Sequence, residues 1–177
     1  MTDGRLVRGR RRRDELVVAA LRVLARDGVA GVSHRAVAAE AGVPKSAVGY
    51  HFADLDALLG AVLAHQGGVL AAALPEVPAG ADLTWLADVL CAGLDADRAR
   101  VVAGYELSLL AARRPALRGA VGAWLDVLSA VARAHTTDPD RVRAAVAVLD
   151  GWIVQVLASG AQADPRELER LLRTTLG

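Results

Sequence analysis

The sequence predicts an all-α protein, with a three-helix N-terminal unit followed by a larger helical body. Three observations carry this expectation. Ala, Leu and Val are abundant in a chain that is 54% hydrophobic and only 3% aromatic, a composition that suits helices and lacks the β-branched and aromatic clusters of a sheet. Apolar residues recur at helical spacing, and Asp-Pro pairs and glycines punctuate them where helices start and stop. Residues 32–52, VSHRAVAAEAGVPKSAVGYHF, read as two short helices around a four-residue break. At 177 residues the chain can bury one good core or two small ones.

Taken in order, residues 1–12 carry Arg5, Arg8, Arg10, Arg11 and Arg12 and are expected to form a flexible basic arm. Asp14 and Glu15 complement the dipole at the start of a first helix. Val17, Ala20, Leu21 and Leu24 form its inward stripe, and Gly28 is its expected end. Ser33 is placed to cap the next helix, with Val32 and Val37 at the spacing of a hydrophobic staple. Small residues between Ala36 and Ala41 allow close helix approach, and Gly42 supplies a left-handed end. Pro44 suits the first turn of the following helix. Val48 and Phe52 turn one face of that helix inward, leaving Lys45, Ser46, Gly49 and Tyr50 outward. Such a glycine-linked pair with a polar outer face has the shape that enters a DNA major groove.

Asp54 is the expected cap of a fourth helix, with Leu55, Leu58, Leu59, Val62 and Leu63 on its apolar face and Gly67-Gly68 weakening its far end. Pro75, Pro78 and Gly80 mark a linker, so the domain organisation expected is an arm over 1–12, a helix-turn-helix domain over 13–65 and a helical body over 66–177. The body is expected to hold helices at Asp82–Leu94, Asp97–Arg113, Pro115–His135, Pro139–Ser159 and Pro165–Leu176. The last two form an antiparallel hairpin. Their apolar stripes, from Val142 to Leu157 and over Leu168, Leu171 and Leu172, are wide enough to serve a core and a partner, which predicts a homodimer through residues 139–176.

The charge is unevenly spread. Residues 1–50 hold ten Arg/Lys against five Asp/Glu, whereas residues 51–177 hold eleven against fifteen. The basic end coincides with the helix-turn-helix, where a polyanion would need it. The polar, arginine-rich start lacks the apolar core of a secretory signal. Cys91, the single cysteine, allows no internal disulfide and fits a reducing cytosol, so a cytoplasmic location is expected. The apolar run Ala144–Ala161 raises the question of a membrane span, but Asp150 and Gln155 near its middle favour a buried helix.

The segments RAVAAEAGV, PKSAVGYHF and DLDALLGAVL, in this order and spacing, resemble the DNA-binding domain of the tetracycline-repressor (TetR) family of bacterial regulators over residues 13–65. The resemblance implies a homodimeric transcriptional regulator whose second reading helix, residues 45–51, enters the major groove of operator DNA. By position, Lys45, Ser46 and Gly49 would then face base edges, while Tyr50 and His51 meet phosphates with Ser33, His34 and Arg35 beside them. Two departures stand out. Gly49 replaces a tyrosine frequent in the family, and Leu55 replaces a frequent lysine. The family also implies a small-molecule effector bound in the body, most simply one that releases a repressor from its operator.

No catalytic constellation is present. His34, His51, His65 and His135 lack metal-ligand spacing, Cys91 sits in an apolar helical pattern, and neither a phosphate-binding glycine loop nor a nucleophile elbow occurs. Neither an enzyme nor a cofactor is therefore expected. Polar and aromatic residues within the apolar body helices are the candidates for effector contacts: Tyr105, Glu106, Trp85, Trp124 and Trp152. Two alternatives remain, a DNA-binding regulator without small-molecule control and a helical protein-interaction module.

Overall fold

A computed structural model describes residues 3–73 and 82–176. The expected linker residues Pro75, Pro78 and Gly80 lie outside the described residues. The elements are α1 (Asp3–Gly31), α2 (His34–Glu40), α3 (Lys45–His51), α4 (Leu55–Ala73), α5 (Leu83–Ala96), α6 (Arg98–Leu110), a 3-10 turn (Pro115–Leu117), α7 (Arg118–Arg133), α8 (Pro139–Ser159) and α9 (Pro165–Leu176). The described residues form helices and connecting turns without strands.

Local chemistry accounts for most helix ends. The Asp138 carboxylate accepts from the Asp140 N–H at 2.9 Å, and Pro139 occupies the first turn of α8, where its missing N–H costs nothing. The Asp164 carboxylate accepts from the Arg166 N–H at 2.9 Å in the same way for α9. Asp54 caps α4 through the Ala57 N–H at 2.7 Å. At the far end of α8, Gly160 takes a left-handed φ of 71°, and the Arg98 guanidinium donates to the carbonyls of Val156 and Ala161. A cation there satisfies orphan carbonyls and complements the helix dipole.

Two differences from the sequence expectation have physical causes. The arginine run is helical from Asp3 and continues α1, where an irregular arm was expected. Its exposed arginines pair with the following turn, Arg12 with Glu15 at 2.9 Å and Arg11 with Glu15 at 3.6 Å. Pro115 opens a 3-10 turn rather than α7 itself, which begins three residues later at Arg118.

The chain forms two compact units, residues 1–66 with 99–122 and residues 67–98 with 123–177. The first unit thus takes in residues 99–122, which the sequence reading assigns to the body. Its core joins Leu16, Val23 and Leu24 of α1 to Val37, Val48, Phe52 and Leu59, and also to Ala103 and Leu107 of α6 and Leu117. Burying each of these leucines contributes about 1.5–3 kcal/mol. An ion pair of 2.7 Å between Arg114 and Asp56 ties the segment between α6 and the 3-10 turn to the first turn of α4. The second unit packs α9 against α5 and α8. There Leu168 and Leu172 are buried, and Arg173 bridges Glu169 and Asp82.

Two helical stretches, Leu55–Ala72 and Pro139–Ser159, are long and apolar enough to cross a membrane by length and composition. In α8, Val142, Ala145, Leu149, Trp152 and Val156 are buried within the fold.

Candidate nucleic-acid interface and ligand positions

The outward surface of α3 is set by what holds its inner face. Ser33, in extended conformation, accepts the Ala36 N–H at 3.1 Å and starts α2. Gly42 then turns the chain with a φ of 65°, and the Val43 N–H donates back to the Ala38 carbonyl at 2.9 Å. Only a residue without Cβ takes that φ at no steric cost. Pro44, expected in the first turn of α3, is instead the extended residue just before it, with φ −61° and ψ 146°, and Val48 and Phe52 anchor α3 at 0% and 2% exposure. The Val32–Val37 staple is likewise buried.

Lys45, Ser46, Gly49 and Tyr50 are consequently exposed together on the opposite face, Tyr50 at 86%. The Tyr50 and His51 rings meet edge-on with centroids 5.1 Å apart, His51 being half-buried. Arg35 is exposed on α2. His34 is half-buried with its Nε2 enclosed and unpartnered, so this nitrogen does not point to the outer surface. A Cβ on Gly49 would meet open space, so packing does not require the glycine.

Two interactions that fix these helices escape sequence reasoning. The Arg13 guanidinium lies over the Phe52 ring, 4.9 Å from its centroid, and holds α1 to the end of α3. Arg26 near the end of α1 donates to Glu40 of α2 at 2.9 Å and to its neighbour Asp27. Hydrogen bonds to Asp27, and then to Glu40, raise the Arg26 pKa further above its ordinary range. Neither pair follows from periodicity, since both link separate helices.

The ligand candidates divide between the units. Tyr105 and Glu106 belong to the first, and Trp85, Trp124 and Trp152 to the second. Glu106 Oε2 is buried without a hydrogen-bond partner. Trp152 is buried and donates its indole N–H to Glu167 at 2.9 Å, an interaction that stitches α8 to α9. Trp124 packs beside Gly67, where an added Cβ would stand 3.8 Å from the indole. A small apolar pocket of about 20 Å³ among α5, α7, α8 and α9 is lined by Leu86, Leu90, Leu128 and Leu149 among others, and by none of the five candidates.

Cys91 is buried, and burial followed by the charges of Asp95, Asp164 and Asp88 pushes its thiol up to about 11. The thiol therefore stays protonated near neutrality, and Cys91 acts as a small apolar residue of α5.

Comparison with known proteins agrees with this geometry. The profile "Bacterial regulatory proteins, tetR family" matches residues 16–62, and "Tetracyclin repressor-like, C-terminal domain" matches residues 79–177. A curated relative, the HTH-type nicotine-responsive transcriptional repressor HdnoR of Paenarthrobacter nicotinovorans, is 34% identical over 109 residues, covering 59% of this chain and 56% of its own length. The match thus spans little more than half of that relative. Among solved structures, the multidrug binding protein EbrR complexed with ethidium superposes with a TM-score of 0.84 at 41% identity, covering 94% of this chain and 99% of that one. A TetR-family member from Streptomyces coelicolor A3 gives 0.83 at 42% identity, covering 94% and 98%. The exposed polar face on an anchored α3 and these relatives lead to one conclusion: the chain belongs to the tetR family of bacterial regulatory proteins, which are transcriptional regulators and not enzymes.

Proposed function

We propose that the protein is a cytoplasmic repressor that binds operator DNA as a homodimer and leaves it when a small-molecule effector binds. The observation that carries this reading is the solvent-facing set Lys45, Ser46, Gly49 and Tyr50 on a helix whose other face is locked by Val48 and Phe52. A rigid support under an exposed polar face is what groove recognition needs. In this reading Lys45, Ser46 and Gly49 approach base edges, while Tyr50, His51, Ser33 and Arg35 contact phosphates. His34 joins them only if its ring turns, because Nε2 is enclosed. The two copies meet through α8 and α9.

Effector control is supported by the relatives, one described as nicotine-responsive and another as multidrug binding. Tyr105 and Glu106 in the first unit, and Trp85 and Trp124 in the second, are the proposed effector-contacting residues. Trp152 holds the α8–α9 hairpin behind them in sequence. The test is an electrophoretic shift with the intergenic DNA upstream of the protein's own gene, repeated with candidate organic ligands. A specific shift that a ligand reverses supports the proposal. A shift that no ligand alters supports regulation without an effector, and no shift at all supports a protein-interaction module.

A further inference from the structure

The stripe that buries α1 in the first unit does not stop where the core stops. Leu16, Val17, Ala20 and Leu24 are buried, and they follow Arg13 at spacings that place all five residues on one face of the helix. Counted back from Arg13 at the same spacings, that face continues through Arg10, Gly9 and Leu6. Arg13 is seated over the Phe52 ring, 4.9 Å from its centroid, at the end of α3 and next in sequence to Tyr50 and His51. Before that seat the stripe meets solvent: Arg10 is exposed, Leu6 is 56% exposed, and a Cβ on Gly9 would meet open space. From Asp3 to Arg13, α1 therefore runs about 15 Å with its inner face uncovered.

The arginines of this run divide between two faces. Arg11 and Arg12 turn away from the stripe and share Glu15, at 3.6 and 2.9 Å. Arg10 and Arg13 lie on the stripe and have no carboxylate partner among the described residues. A guanidinium stacked on a ring keeps its edge N–H groups free, and that edge is the fork that fits a phosphate. The seat on Phe52 fixes where the Arg13 edge stands relative to Tyr50 and His51. Two unpaired cations beside the end of a reading helix, on a face that protein leaves open, complement the sugar-phosphate backbone at the rim of a groove.

We propose that Arg10 and Arg13 form a helical clamp on the backbone phosphates flanking the groove that α3 reads, whereas Arg11 and Arg12 stay with Glu15 and make no DNA contact. The inference deepens the operator-binding reading above and rests on it. It divides one run of arginines by helix face, and Phe52 becomes the residue that sets the clamp at a fixed distance from α3.

The test is fluorescence anisotropy of the full chain on the upstream intergenic DNA and on a random-sequence duplex of equal length, over a series of salt concentrations. Arg10→Gln is expected to lose affinity to a similar degree on both duplexes, with the salt slope reduced by about one contact per chain. Its melting temperature is expected to match wild type, since Arg10 touches no core. Arg13→Gln is expected to lose the same contact, and Arg13→Lys to recover part of it by keeping a cation over Phe52. The double variant Arg11→Gln with Arg12→Gln is expected to keep the wild-type slope. A wild-type slope in both Arg10→Gln and Arg13→Gln overturns the clamp and leaves the operator-binding reading standing. An equal loss in the double variant also overturns it, because the run would then act by total charge and not by face. No binding of wild type to either duplex overturns both readings.

Discussion

At the scale of single residues, Lys45, the only lysine in the chain, carries the sharpest expectation. Lys45→Ala should weaken operator binding by about 1–3 kcal/mol and relax base preference at one operator position, as a base-edge contact demands. His51→Ala should lower affinity evenly across operator sequences, because phosphates carry no sequence. Binding assays over an operator-variant panel separate the two. Gly49 is a different case. It sits inside α3 with open space where a Cβ would be, so Gly49→Ala should stabilise the protein by about 0.5–1 kcal/mol in urea unfolding. His135 brings a pH dependence. Burial holds its pKa below the ordinary 6.5, against the opposing charge of Asp82. The unfolded chain takes up this proton first, so stability present above pH 6.5 falls as pH drops through that value toward the lower folded-state pKa. Melting temperatures at pH 7.5 and about 5.5 should differ less in His135→Gln than in wild type. Asp82, lowered chiefly by the Thr84 hydroxyl, adds a separate loss only as pH falls below 3.8.

At the scale of elements, the arginine run is a helical extension of α1 and reaches none of the core residues that begin at Leu16. Deleting residues 1–12 should leave the melting temperature unchanged and make the salt dependence of operator binding shallower, since fewer counterions are released. An unchanged salt slope would assign these arginines to solvent alone. The sequence was most legible where the signal was local. Asp138-Pro139 and Asp164-Pro165 placed α8 and α9 to the residue, because capping is decided within four residues. Ser33 did the same for the start of α2, and Gly42 for the turn after it, whereas Pro44 stands one residue before α3 rather than in its first turn. Gly28 was legible as a break, but the path of the chain beyond it depends on packing that no neighbouring residue encodes. The Arg26–Glu40 and Arg114–Asp56 pairs were hidden for the same reason, being made between elements 14 and 58 residues apart in sequence. The outward face of α3 could be read from Val48 and Phe52 alone; the unfilled oxygen of Glu106 could not.

At the scale of the whole molecule, regulators of this kind act as pairs, and we expect a two-fold dimer through α8 and α9. Val154 of α8 is 46% exposed within a helix otherwise rich in buried apolar residues, surface that a second copy can cover. Light scattering at micromolar concentration should give twice the chain mass of 18.4 kDa, and a monomer would contradict the assembly. Paired heads about 34–36 Å apart would then meet successive major grooves. The grouping of the chain has a further consequence, one of timing. The reading unit is completed by Ala103, Leu107 and Leu117, which lie far downstream of the helices they support. During synthesis, α1 to α4 emerge from the ribosome with part of their core not yet made. Until Leu117 has been made, the apolar faces of α1 to α4 lack part of the surface they pack against in the finished unit.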